Sequence, residues 1–136
     1  MEINRVISDR VKEPAPNTWS NCLVVGNQIF ISGMTAHDLG GNVTGGKDMY
    51  SQSREAFDRI KGLVEAAGGS MGNIVKMTIF VTDISERKEV WRAREEYFSG
   101  NFPACSLIGI SALATPELKV EIEAIGFLDA TPQVSI

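Results

Sequence analysis

Two short segments, Ile29-Phe30-Ile31 and Ile79-Phe80-Val81, constrain the fold more than anything else in this chain. Successive residues of a strand point to opposite sides, so each segment puts large apolar groups on both faces of any sheet it joins. Both faces must then be covered. Only two stretches have the period of an amphipathic helix. In the first, Ala56, Phe57, Ile60, Leu63, Val64 and Ala67 recur at three- and four-residue spacing opposite Arg54, Glu55, Asp58, Arg59 and Lys61. Asp48 can cap its start, and Gly68-Gly69 supplies the left-handed turn that ends it. The second runs from Ser85 to Phe98, with Val90, Trp91, Arg94, Tyr97 and Phe98 as its inner face and Gly100 past its end. Two helices cover one face of a sheet, so the other must be buried against further subunits.

The remaining elements are extended. Val6-Ile7 starts a short strand, and Pro14-Ala15-Pro16-Asn17 breaks regular structure on the way to Trp19. Cys22-Leu23-Val24-Val25 and Gln28 to Ser32 flank Gly26-Asn27 as a tight hairpin, while the four glycines between Asp38 and Gly46 make a loop. Val75 to Val81 is β-branched and aromatic, which predicts a central strand. Ala104 to Ile110 and Leu118 to Leu128 are the last two; in the final one Glu121, Glu123 and Ile125 share one face and Val120, Ile122 and Ala124 the other. The order predicts an α+β fold, a single sheet of about six strands with both helices on one side.

The 136 residues, 43% hydrophobic and 22% charged, suit one domain spanning 1–136. Met1-Glu2-Ile3-Asn4-Arg5 lacks a secretory pattern and no apolar run is long enough to cross a bilayer, which predicts a cytoplasmic protein with no membrane partner. Cys22 and Cys105 sit in apolar segments and read as free thiols. A net charge of −4 without a stripe of Lys and Arg argues against nucleic acid as a partner. With one histidine, His37, and no ligand spacing for zinc or calcium, no bound metal is expected, and neither glycine-rich nucleotide motif is present.

Several stretches together resemble the reactive intermediate deaminase (Rid, YjgF-like or L-PSP-like) family. They are Ile31-Ser32-Gly33, Glu65-Ala66-Ala67-Gly68 followed by Ile74-Val75-Lys76, Thr78 to Asp83, and Phe102-Pro103-Ala104 followed by Val120-Glu121-Ile122-Glu123-Ala124-Ile125. The likeness spans nearly the whole chain. It implies a chorismate-mutase-like fold assembled as a homotrimer, with ligand clefts between subunits. It further implies hydrolysis of an enamine or imine to a carbonyl compound and ammonia, needing neither metal nor organic cofactor, with a small metabolite as the partner.

Carried over position by position, Trp19 matches the family's pocket tyrosine, Ser32 and Gly33 its backbone wall, and Glu121 the glutamate credited with handling water. Three positions depart from the pattern. Cys105 replaces the arginine that grips the substrate carboxylate, Leu107 a cysteine, and Trp91 an asparagine. Removing one partner of a desolvated, charge-assisted pair costs roughly 2–5 kcal/mol, or about thirty- to several thousand-fold in affinity. The expected substrate is therefore larger, flatter or less charged than 2-aminoacrylate, unless Arg92 or Arg94 supplies the missing cation. Two other readings compete: a non-catalytic metabolite-binding trimer and, ranked last for so acidic a chain, an L-PSP-type endoribonuclease. Simpler roles also stand beside the chemical ones. Cys105 can be a packed thiol rather than a nucleophile partnered by His37, and Glu121 and Glu123 can be solvated carboxylates paired with Lys119.

Overall fold

Glycine at the first position of a two-residue loop lets the chain reverse with the twist a hairpin needs. Gly26 has φ +63°, and it joins β2 (Cys22–Val25) to β3 (Gln28–Met34) in antiparallel register, Val25 opposite Gln28 and Cys22 opposite Ile31. The structure, a computed structural model, describes residues 1–131. Its other elements are β1 (Ile3–Arg5), α1 (Met49–Ala66), β4 (Ile74–Val81), α2 (Arg87–Arg94), β5 (Ala104–Gly109) and β6 (Val120–Phe127). The six strands form one sheet in the order β1-β2-β3-β6-β4-β5, antiparallel throughout except for the β4–β5 pair. This is the expected α+β sheet with two helices.

Alternation divides the sheet cleanly. Ile29, Ile31, Met77, Ile79, Ile122 and Ala124 point to the helical side and are buried with Phe57, Ile60, Leu63 and Val64 of α1. On the other side Phe30 and Ile108 remain 38% and 44% exposed. The open apolar face expected from the sequence is therefore present, interrupted by Lys76, Thr78, Glu121 and Glu123.

Both ends of α1 are closed by side chain and backbone. The Asp48 carboxylate accepts from the backbone N–H of Ser51 at 3.1 Å and from its hydroxyl at 2.6 Å. At the far end Gly68, at φ +93°, lets its own N–H reach Glu65 O and that of Gly69 reach Val64 O.

β3 runs to Met34, two residues past Ser32, the last strand begins at Val120 rather than Leu118, and two elements depart further from the pattern-based expectation. The first strand is Ile3–Arg5, not Val6-Ile7, because Arg5 is the residue that pairs with Leu23; Val6 adds only a backbone bond to Cys22 O. The second helix is shorter than Ser85 to Phe98. A single 3-10 turn, Ile84–Glu86, precedes α2, and beyond Arg94 the bonds from Glu96 to Ala93 and from Tyr97 to Arg94 span only three residues. Aromatic packing sets that ending, since Tyr97 stacks on Phe57 at 5.2 Å and its phenol donates to Asp58 at 2.5 Å. Trp91 also departs from expectation: Val90 and Ala93 fill the inner face of α2, and the indole is 37% exposed.

The glycine-rich loop is tied to the sheet by one buried amide. Gln52 on α1 donates to Gly46 O and Glu117 O, both at 2.8 Å, and accepts from the Lys119 backbone N–H at 2.9 Å. Replacing it with an apolar residue removes the partner of three backbone groups in part-buried hydrogen bonds. Gln52→Leu should cost at least about 2 kcal/mol in urea unfolding; a loss below about 1 kcal/mol would remove Gln52 as the tie between loop, helix and β6.

Candidate active site

One extra residue in β3 creates the site. Ile31 faces Ala124 and Met34 faces Ile122, so three steps on β3 match two on β6 and the chain bulges at Ser32-Gly33. The Ser32 hydroxyl donates to Ser20 O at 2.6 Å and its N–H to Asn21 O at 2.9 Å, pinning the preceding loop beside the bulge. Asn21, only 3% exposed, then organises that loop: its amide nitrogen donates to Lys12 O at 2.9 Å and its oxygen accepts from the Trp19 indole N–H at 3.2 Å. The indole, though 58% exposed, thus has a fixed edge.

Gly33 has no side chain because Glu121 occupies the space one would need. A Cβ there would lie 2.6 Å from the Glu121 carboxyl carbon and 2.9 Å from one of its oxygens. No real contact is that short, so any larger residue must displace the carboxylate. Glu121 is half-buried, and its pKa is raised above the ordinary 4.5, first by burial and then by the nearby charge of Glu123. Lys119 does not neutralise the pair, since its ammonium bonds Glu86 at 2.9 Å. Trp19, Ser32, Gly33 and Glu121 therefore meet around one bulge, with Gly33 in contact with the carboxylate. Two hollows flank the bulge. One, of about 450 Å3, lies on the open face against Leu23, Phe30, Ser32, Thr78, Glu123 and Ile125. The other, of about 320 Å3, is walled by Trp19 and Gly33 and bordered by Lys12, Glu13, His37 and Arg59.

The remaining sequence candidates lie elsewhere in the subunit. Cys105 and Leu107 pair with Met77 and Ile79, which turns them toward the helical side on the edge strand β5. Trp91 stands on the outer part of α2 with the Arg87 guanidinium 5.9 Å from its ring. Within one subunit, two strands' width separates this group from β3 and the bulge. Neither arginine considered as a replacement cation is placed at Glu121: Arg92 bonds Glu89 at 2.6 Å and lies 3.6 Å over the Tyr50 ring, while Arg94 lies 5.9 Å from the Phe102 ring.

His37 is partly buried, with Nδ1 2.7 Å from the Thr35 hydroxyl. Burial, then the Arg59 charge, depresses its pKa. The Cys22 thiol is buried and pushed up to about 11, chiefly by desolvation. Among the described residues, no group of three or more His, Cys, Asp or Glu side chains converges to hold a metal ion, and no helix is long and apolar enough to cross a membrane. Sequence reasoning missed Asn21, Lys12 and Arg59. A buried polar residue between a loop and a strand was the available signal for Asn21; the other two come from segments far apart in sequence.

The family described as Endoribonuclease L-PSP matches residues 10–127. A 2-iminobutanoate/2-iminopropanoate deaminase of Escherichia coli (strain K12) is 37% identical over 105 residues, covering 74% of this chain and 80% of the relative. A protein of the same name from Dermatophagoides farinae is 31% identical over 127 residues, covering 92% and 97%. In three dimensions, the crystal structure of a protein of unknown function from Pseudomonas aeruginosa superimposes with a TM-score of 0.86 at 36% identity, covering 96% of each chain.

The raised pKa of Glu121 fixes a pH dependence. The folded state holds this proton more tightly than the unfolded chain does, so its stabilising effect is complete below the unfolded value near 4.5 and is lost as pH rises through the higher folded value. Glu121→Gln never ionises. Its melting temperature should exceed that of the parent at pH 7.5, with the gap closing toward pH 4; a gap independent of pH would show that the carboxylate is not desolvated.

Proposed function

We propose that this chain, which belongs to the Endoribonuclease L-PSP (Rid) family, is an imine deaminase that hydrolyses an imine, or the enamine that tautomerises to one, to a carbonyl compound and ammonia. The observation that carries the reading is Glu121, a half-buried carboxyl of raised pKa packed on Gly33 at a cleft wall. A carboxyl poised nearer neutrality can take a proton and give it back. Water oxygen adds to the imine carbon as Glu121 accepts a water proton and passes it to the nitrogen. In the resulting carbinolamine the hydroxyl proton moves through Glu121 to the amine nitrogen as the carbon–nitrogen bond breaks, releasing ammonia and leaving the carbonyl. Every atom comes from imine and water.

The active assembly in this reading is a homotrimer. The exposed Phe30 and Ile108 supply an apolar face of the kind subunits cover, and assembly offers a route for Cys105, Leu107 and Trp91 of one subunit to approach the bulge of the next. With Cys105 and Leu107 at the two departing positions of β5 and two exposed indoles available, the preferred substrate differs from small 2-aminoacrylates and carries a larger, flatter group.

Imines generated by an amino-acid oxidase should release ammonia faster when the protein is added, and Glu121→Ala should lower that acceleration by about a hundredfold or more. Sedimentation should give three subunit masses. No acceleration for any imine across aliphatic and aromatic side chains overturns the hydrolase reading; stabilisation by the same compounds without turnover would make the protein a metabolite binder instead.

A further inference from the structure

The hollow behind Trp19 and Gly33 carries an unbalanced positive charge. Among the charged side chains at its border, Glu13 bonds Arg5 at 2.7 Å and Arg59 bonds Glu55 at 2.8 Å. Lys12 alone has neither an ion pair nor a side-chain hydrogen bond among the described residues. Its position is nevertheless defined. The Lys12 backbone is held by Asn21, and its ammonium lies against Gly41, where a Cβ would come within 2.7 Å of Nζ. Gly41, at φ +86°, is suited to leave that space open.

His37 lies at the same hollow. Burial, then the Arg59 charge, disfavours its protonated form, Asp38 opposes them and Lys12 adds the smallest share, so the ring tends to remain neutral beside Thr35. Asp38 itself is occupied by the Asn42 backbone N–H at 2.9 Å. An anion entering this hollow would therefore find an unpaired ammonium.

The rest of the hollow restricts what that anion is attached to. One amide, Asn21, holds both the Lys12 backbone and the Trp19 indole, so the root of the lysine side chain and the flat apolar wall stand side by side. Gly33 lines the hollow and also abuts the Glu121 carboxyl. Lys12 and Trp19 thus address a carboxylate and a planar side chain, and Gly33 is the part of the wall that adjoins Glu121. An aromatic 2-imino acid has both groups. Its carboxylate is attached directly to the imine carbon, so holding one end places the other.

We propose that Lys12 binds the substrate carboxylate in this hollow and, with Trp19, makes the protein selective for aromatic 2-imino acids. The proposal rests on the hydrolase reading above and relocates the anion-binding group from position 105 to the loop before β2. Lys12 acts here as a specificity-determining residue; Glu121 handles the protons.

Two imines separate the effect of the carboxylate from the rest of the chemistry: the imine of phenylalanine made by an amino-acid oxidase, and the neutral imine of phenethylamine made by an amine oxidase. The wild type should prefer the anionic imine in kcat/KM. Lys12→Met should reduce that preference roughly ten- to a hundredfold, mainly through KM, and Lys12→Arg should preserve it. Lys12 is exposed, so neither substitution threatens folding. An unchanged preference in Lys12→Met overturns the proposal. If the wild type releases ammonia from neither imine nor from any other in the aliphatic and aromatic panel, the hydrolase reading fails by itself, and calorimetry with phenylpyruvate, the keto acid product, still decides the site. Binding that weakens in Lys12→Met by the same factor supports it; binding that is absent or independent of Lys12 overturns it.

Discussion

Burial of one helix face against one sheet face is the interaction on which the other features depend. Phe57, Ile60, Leu63 and Val64 of α1 are completely buried with Ile29, Met77, Ile79 and Ile122. At about 25 cal/mol for each Å2 of apolar surface removed from water, each such side chain contributes roughly 1.5–3 kcal/mol, so register is strongly enforced. Once Ile122 and Ala124 must face α1, Glu121 and Glu123 have to face away. The carboxylates stand on the open face because their neighbours do not.

Much of this could be read from the chain itself. Alternation in Val120 to Ile125 assigned both faces of β6 correctly, and the Asp48 and Gly68-Gly69 signals bracketed α1 to within a residue or two, since capping chemistry is local. The start of the first strand and the end of the second helix were not legible, because partners distant in sequence set them: Leu23 for Arg5, Phe57 for Tyr97. Trp91 illustrates the limit of periodicity. Helical spacing placed Val90, Trp91 and Arg94 on the inner face, and packing chose Val90 and Ala93.

The candidate site was legible in its residue types but not in its arrangement. Ser32, Gly33 and Glu121 belong together, and the bulge that joins them is a matter of register, to which a strand pattern is blind. Cys105 and Leu107 lie toward the helices at the far side of the sheet. The positive hollow could not be foreseen, as Lys12, His37 and Arg59 come from an early loop, a glycine-rich connection and a helix. Their convergence depends on Asn21, whose three hydrogen bonds reach backbone, carboxylate and indole.

The position of β6 has a consequence for how the chain is made. The last strand in sequence is third from one edge in space, and both of its neighbours, β3 and β4, are complete long before it is synthesised. Until residues 120–127 arrive, the sheet exists only as two separate ribbons with a gap between them, each with an unsatisfied edge. Joining them requires contacts of high sequence separation, the slow class of folding event. Glu121 rides on the strand that closes this gap, so a nascent chain acquires its continuous core and this carboxylate in the same step. Incomplete chains can hold neither.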